Sequence, residues 1–219
     1  MNLLDMFLKG GVVMWPILLC SIIGLAIIID KYLVIRRART NVPNFMIKIR
    51  GFLKKKDVSG ANQLCLEEKS PIANIVRKGL RKYKYGHERV KEAIENAGRQ
   101  EISKLEKGLP LLATIAGVAP MLGFLGTVTG MVSAFMILQE LQGAATPSDL
   151  AGGIWEALIT TVFGLIVGIA ALIFYNDILG SINKLVAQME AVSTDVVDVI
   201  EETATGNVKD DEIEIDLEG

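Results

Sequence analysis

The chain has 219 residues, 51% apolar and 22% charged, with a formal net charge of −2 and a mean hydropathy of +0.40. That is more apolar than a soluble globular domain. One histidine and two cysteines supply no Ser-His-Asp set or metal-ligand cluster, no phosphate loop is present, and so neither covalent chemistry nor a metal or cofactor is expected.

The apolar residues are gathered into three runs. Gly10 to Ile29 is 20 residues without a charge, Gly108 to Gln139 is 32, and Leu150 to Asn176 carries only Glu156. About 20 apolar residues cross a bilayer core of about 30 Å as a helix. The sequence therefore predicts an all-α integral membrane protein with three transmembrane helices and long cytoplasmic helical extensions. Residues 1–35 read as an outer N-terminus and first transmembrane helix, and 36–107 as a cytoplasmic helical segment. The second transmembrane helix covers 108–139, an outer loop 140–149, and the third transmembrane helix 150–177. A cytoplasmic helix over 178–203 precedes an acidic disordered tail, 204–219.

The first run has only Asp5 and Lys9 before it and no small-residue cleavage site before Asp30, so it reads as a retained span rather than a signal peptide. Trp15 and Tyr32 sit at its two ends, as interfacial aromatics do. Between Arg36 and Lys107 lie 19 of the 23 basic residues, against 8 acidic ones, whereas 139–149 has no Lys or Arg. The positive-inside rule puts the basic segment and the C-terminus in the cytoplasm and the N-terminus outside. The basic residues alternate with Glu and flank spans, which points to anionic lipid rather than nucleic acid.

Within the basic segment, Asn41-Val-Pro and Lys54 to Gly60 read as turns, and Ser70-Pro71 as a helix start. Tyr85-Gly86-His87 reads as the break after that helix. Val90, Ala93, Ile94, Ala97, Ile102 and Leu105 then mark a long helix. Cys20 and Cys65 fall on different levels and read as unbridged packing residues. Pro110 and Pro120 should each disturb the second span. Thr146-Pro147-Ser148-Asp149 has the form of a helix start with a capping box, which puts Glu156 roughly 10 Å further along the axis than Asp149. Beyond the third span, Ile178, Ile182, Leu185, Met189, Val192, Val196 and Val199 alternate spacings of four and three. Such a seam packs either on the chain's own helices or in an oligomeric barrel.

Glu156 is the residue that composition alone does not explain. An ionised carboxylate in hydrocarbon costs roughly 2.5–3.5 kcal/mol on insertion scales, so it seldom persists without a role. Thr160, four residues on, shares its helix face, and Thr161 lies about 140° around. Thr127 and Thr129 sit in the second span, where a hydroxyl can also bond its own helix. Gly126-xxx-Gly130 and Gly164-xxx-Gly168 let helix backbones approach closely.

The stretches Gly-Val-Ala-Pro-Met-Leu-Gly-Phe-Leu-Gly-Thr-Val-Thr-Gly-Met (117–131) and Gly-Ile-Trp-Glu-Ala-Leu-Ile-Thr-Thr-Val-Phe-Gly-Leu (153–165) resemble the paired signatures of the MotA/TolQ/ExbB proton-channel family. The three-span layout resembles the ExbB/TolQ branch, with Trp155 and the acidic tail as departures. The resemblance implies a homopentamer in the bacterial inner membrane with a periplasmic N-terminus. It implies an ExbD/TolR-like single-span protein as partner, with an outer-membrane-energising TonB-like protein as a further candidate. It also implies a proton pathway through Glu156, Thr127 and Thr161, with proton flow coupled to work on the outer membrane; Thr160 joins that pathway as the hydroxyl on the Glu156 face. The rival reading is a non-conducting oligomeric scaffold that anchors a partner. A transporter core is weaker, because three spans show no internal repeat.

Overall fold

A computed structural model of the chain describes residues 3–38 and 40–205. The described residues are helices joined by short turns: α1 (Leu3–Lys9), α2 (Met14–Ala38), α3 (Val42–Lys54), α4 (Val58–Glu68), α5 (Pro71–Leu80), α6 (His87–Glu106), α7 (Leu109–Glu140) and α8 (Pro147–Thr205), with a 3-10 turn at Tyr83–Tyr85. Three of these are long and apolar enough to cross a membrane, as the three runs predict. The contacts divide into two units, residues 1–35 with 106–182 and residues 36–105 with 183–219.

The first unit is held together by the absence of side chains. A Cβ on Gly164 would come within 2.6 Å of the Ala119 carbonyl and 2.9 Å of the Gly123 Cα. One on Gly123 would meet the Thr160 carbonyl at 2.9 Å, and Gly130 stands against Gly153 and Ala157. Contacts that climb α7 while descending α8 make the two helices antiparallel. The glycine spacing singled out in the sequence is thus the surface on which they touch. Gly117 and Gly152 lie outside it, with nothing within 4 Å of where a Cβ would stand.

Pro110 falls in the first turn of α7, where no backbone donor is needed, so it starts the helix instead of kinking it. The break before it is Gly108, at φ +90°. Pro120 lies inside the continuous helix, and its ring occupies the space that Gly168 leaves open.

The first span, α2, runs alongside this pair. Gly24 faces Ile115 and Leu112 of α7. At its far end Tyr32 donates a 2.5 Å hydrogen bond to Asp177 and stacks edge-on against Phe174. At its near end Met14 and Ile17 bury against Ile159, with Met6 and Phe7 of α1 packed on the same cluster. The short α1 and the turn that follows it are absent from the sequence reading, because seven residues give too little periodicity.

The second unit builds its helices from local caps. Asn41, Asp57 and Ser70 each accept a backbone N–H three residues on, at 3.3, 2.9 and 3.2 Å. Such caps are worth about 1 kcal/mol each. Val58, Ser59 and Gly60 are therefore the first turn of α4 rather than loop. The helix begun at Ser70 ends at Leu80, before the expected break, and Gly86 at φ +90° precedes α6. Val90, Ile94, Ala97 and Leu105 of α6 are buried, and Ala93 and Ile102 partly so.

All seven seam residues from Ile178 to Val199 are buried within the single chain. Met189 lines a groove with Ile94 and Ile102, and Val192 one with Met46. The structure thus assigns the seam to the chain's own helices. Arg50 pairs with Asp195 beside it. Thr205 still belongs to α8, and the tail expected to be disordered lies from residue 206 onward outside the described residues.

Candidate functional site

Thr146 and Asp149 close the start of α8. The Asp149 carboxylate accepts the Thr146 backbone N–H at 2.8 Å and its hydroxyl at 2.6 Å. This is the reciprocal half of a capping box, with the threonine hydroxyl donating instead of accepting. Seven residues further on stands Glu156, the only charged residue between Asp149 and Asp177. It is part-buried, and no ion pair or hydrogen bond engages its side chain among the described residues.

Its carboxylate points at the turn between α1 and α2. A Cβ on Gly11 would overlap Glu156 Oε1 and come within 2.7 Å of its carboxyl carbon. Gly11 has φ +67°, in the left-handed region that favours glycine. One turn along α8, Ile159 sits 3.3 Å from where a Gly10 Cβ would be. The α8 face carrying Glu156, Ile159 and Phe163 is therefore covered by the N-terminal segment.

The threonines face elsewhere. Thr160 is fully buried on Gly126 of α7 and donates within its own helix, 2.9 Å to the Glu156 carbonyl and 3.0 Å to that of Ala157. Thr161 reaches across: its hydroxyl lies 3.2 Å from the Gly123 carbonyl of α7 and 3.2 Å from that of Ala157. Thr127 is one turn beyond Gly123 on the same side of α7 and donates to Phe124 at 2.6 Å. Thr129 is exposed and bonds its own helix. Within one chain, Thr127 and Thr161 thus gather around Gly123, while the Glu156 carboxylate lies on another face against Gly11. The 140° offset between Glu156 and Thr161 has this consequence.

Two features escaped the sequence. The Gly11 contact joins residues 145 apart, and no local pattern announces it. Lys31 is 3% exposed, near the other end of α2, with Asp30 Oδ2 at 3.6 Å. A lysine two residues past an apolar run reads as interfacial, and only the packing shows it covered. Among the described residues no group of His, Cys, Asp and Glu could hold a metal ion.

Three apolar helices, two of them pressed together through glycines with two hydroxyls at their contact and a lone carboxylate on another face of α8, make the frame of a membrane protein. Residues 67–191 match the MotA/TolQ/ExbB proton channel family, and the chain belongs to that family, in its ExbB/TolQ-like branch. It is 31% identical to a biopolymer transport ExbB homolog of Methanothermobacter thermautotrophicus over 192 residues, 87% of this chain and 68% of that one. It is 32% identical to an ExbB-like biopolymer transport protein of Synechocystis over 89% of this chain and 78% of the relative. The Tol-Pal system protein TolQ of Haemophilus influenzae is 31% identical over 94% of this chain and 93% of its own length.

Proposed function

We propose that the chain is the proton-channel subunit of an inner-membrane motor, working with a single-span ExbD/TolR-like partner to couple proton flow to work on the outer membrane. The observation that carries this reading is Glu156, a lone carboxylate in the apolar length of α8 with hydroxyl-bearing residues on the adjoining turn. Membership in a proton-channel family and similarity to a Tol-Pal protein support it. A proton crossing the membrane releases about 2.3 kcal/mol per 100 mV.

In this reading several chains, five by resemblance, surround the partner's span. The exposed apolar faces of α7 and α8, such as Phe124, Phe135, Leu158 and Ile169, would meet neighbouring subunits, partner and lipid. Thr127 and Thr161 would line the conduit and Glu156 would hold or relay the proton. The basic segment and C-terminus would be cytoplasmic, against anionic lipid, and the α7–α8 loop periplasmic.

The test is Glu156→Gln, which keeps the shape and cannot titrate. Proton-driven activity of the reconstituted complex should be lost while oligomer yield is unchanged. Normal activity in this variant would leave the non-conducting scaffold as the better reading.

A further inference from the structure

Resting on the reading of Glu156 as the proton-carrying residue, we propose that Gly11 is its positioning residue and that the α1–α2 turn is the cover that separates the carboxylate from water at the α7–α8 loop end. The seat is made by two properties of one residue. Gly11 has no side chain where the Glu156 carboxylate lies, and its φ of +67° bends the chain over that point. The cover is anchored independently. Phe7 and Met14 pack on the cluster around Ile159, one turn from Glu156, and Phe7 meets the Trp15 ring edge-on at 5.3 Å. Val12, next to Gly11, is 82% exposed, so the turn has the carboxylate on one side and the surroundings on the other.

The position also fixes the level of the acid. Gly11 precedes the first residue of α2, whereas Glu156 is nine residues into α8. The α7–α8 hairpin therefore extends about 14 Å beyond the turn, at 1.5 Å per residue. The acid sits level with the start of the first span, where a covering turn can decide whether water reaches it. Removing the cover replaces a backbone-lined seat by solvent and changes how readily a water-borne reagent reaches the carboxylate.

The experiment labels Glu156 in the full-length complex with a water-soluble carbodiimide and an amine, read by mass spectrometry of the peptide that carries it. Gly11→Ala puts a methyl where Glu156 Oε1 lies and should raise labelling by at least about threefold, because the displaced carboxylate meets the reagent in water. Gly152→Ala, on the same helix with open space around it, should leave the rate unchanged. Phe7→Ala loosens the cover without touching the turn and should act in the same direction, so the idea stays testable if Gly11→Ala fails to fold. Glu156→Asp is one methylene shorter, and in that background Gly11→Ala should have a smaller effect. Labelling that is equal in the unmodified chain, Gly11→Ala and Phe7→Ala would overturn the inference. The label reports the seat and not transport, so this failure is distinct from normal proton-driven activity in Glu156→Gln.

Discussion

At the scale of single residues, the hydroxyls separate by what they touch. Thr161 bonds across to α7, Thr127 lies beside that contact, and Thr129 faces outward on its own helix. Replacement by Val keeps volume and removes the hydroxyl. Thr127→Val and Thr161→Val should therefore lower proton-driven activity, and Thr129→Val should lower it less, at equal oligomer yield. Thr161→Val should also cost roughly 1 kcal/mol of stability, because it deletes an interhelical hydrogen bond. Thermal unfolding in detergent measures that cost beside the activity. Cys65 gives a residue-level check on the second unit. Burial pushes its thiol up to about 12, against a smaller opposing pull from Arg77. Folding retains a proton that the unfolded thiol releases near pH 8.5. Stability should therefore be full below that pH and fall as pH rises from there toward 12. Thiol reagents at pH 8 should spare Cys65 until denaturant unfolds this unit.

At the scale of elements, two contacts decide the architecture. The α7–α8 contact is backbone against backbone, which cannot yield as a flexible side chain can. Gly164→Leu should force the helices apart, with an overpacking cost of about 1–3 kcal/mol, whereas Gly152→Ala should be neutral or stabilising. Melting of the two variants side by side measures the difference. The seam on the far part of α8 is filled by the chain's own helices, which alters what its disruption means. Leu185→Asp with Met189→Asp buries unpaired carboxylates in a core, at a cost of several kcal/mol. Hydrogen exchange in α6 should speed up in this variant even where the oligomer survives. Unchanged exchange with a dissociated oligomer would return the seam to the subunit interface. The helices between were legible because caps are local: Ser70-Pro71 and Thr146–Asp149 act within four residues. The end of α5 was less legible: it falls at Leu80, before the Tyr85-Gly86-His87 break that the sequence suggests.

At the scale of the whole molecule, charge asymmetry makes the orientation testable. Cysteine placed at Ala144, on the exposed α7–α8 loop, should react with an impermeant reagent on intact cells. Cysteine at Ser59, exposed in α4 among the basic residues, should be spared until the membrane is opened. The reverse pattern would invert the orientation and remove the proposed proton entry with it. Self-association should persist in mild detergent, because the apolar faces of α7 and α8 remain uncovered in the single chain.

The sequence by itself determined the class: three spans, helical throughout the described residues, with one carboxylate in the third and a glycine-rich partner helix. Each of these is written in contiguous residues, because hydrophobic length, helical period and caps are local properties. The motifs around Thr127 and Glu156 also carried the family. What the tertiary structure decided were the neighbours. It placed Thr161 on Gly123, Thr160 on Gly126, the seam on the chain's own helices and the Glu156 carboxylate on Gly11. A helical wheel says which residues share a face. Which partner that face meets depends on segments far away in the chain, and on whether a glycine there leaves room.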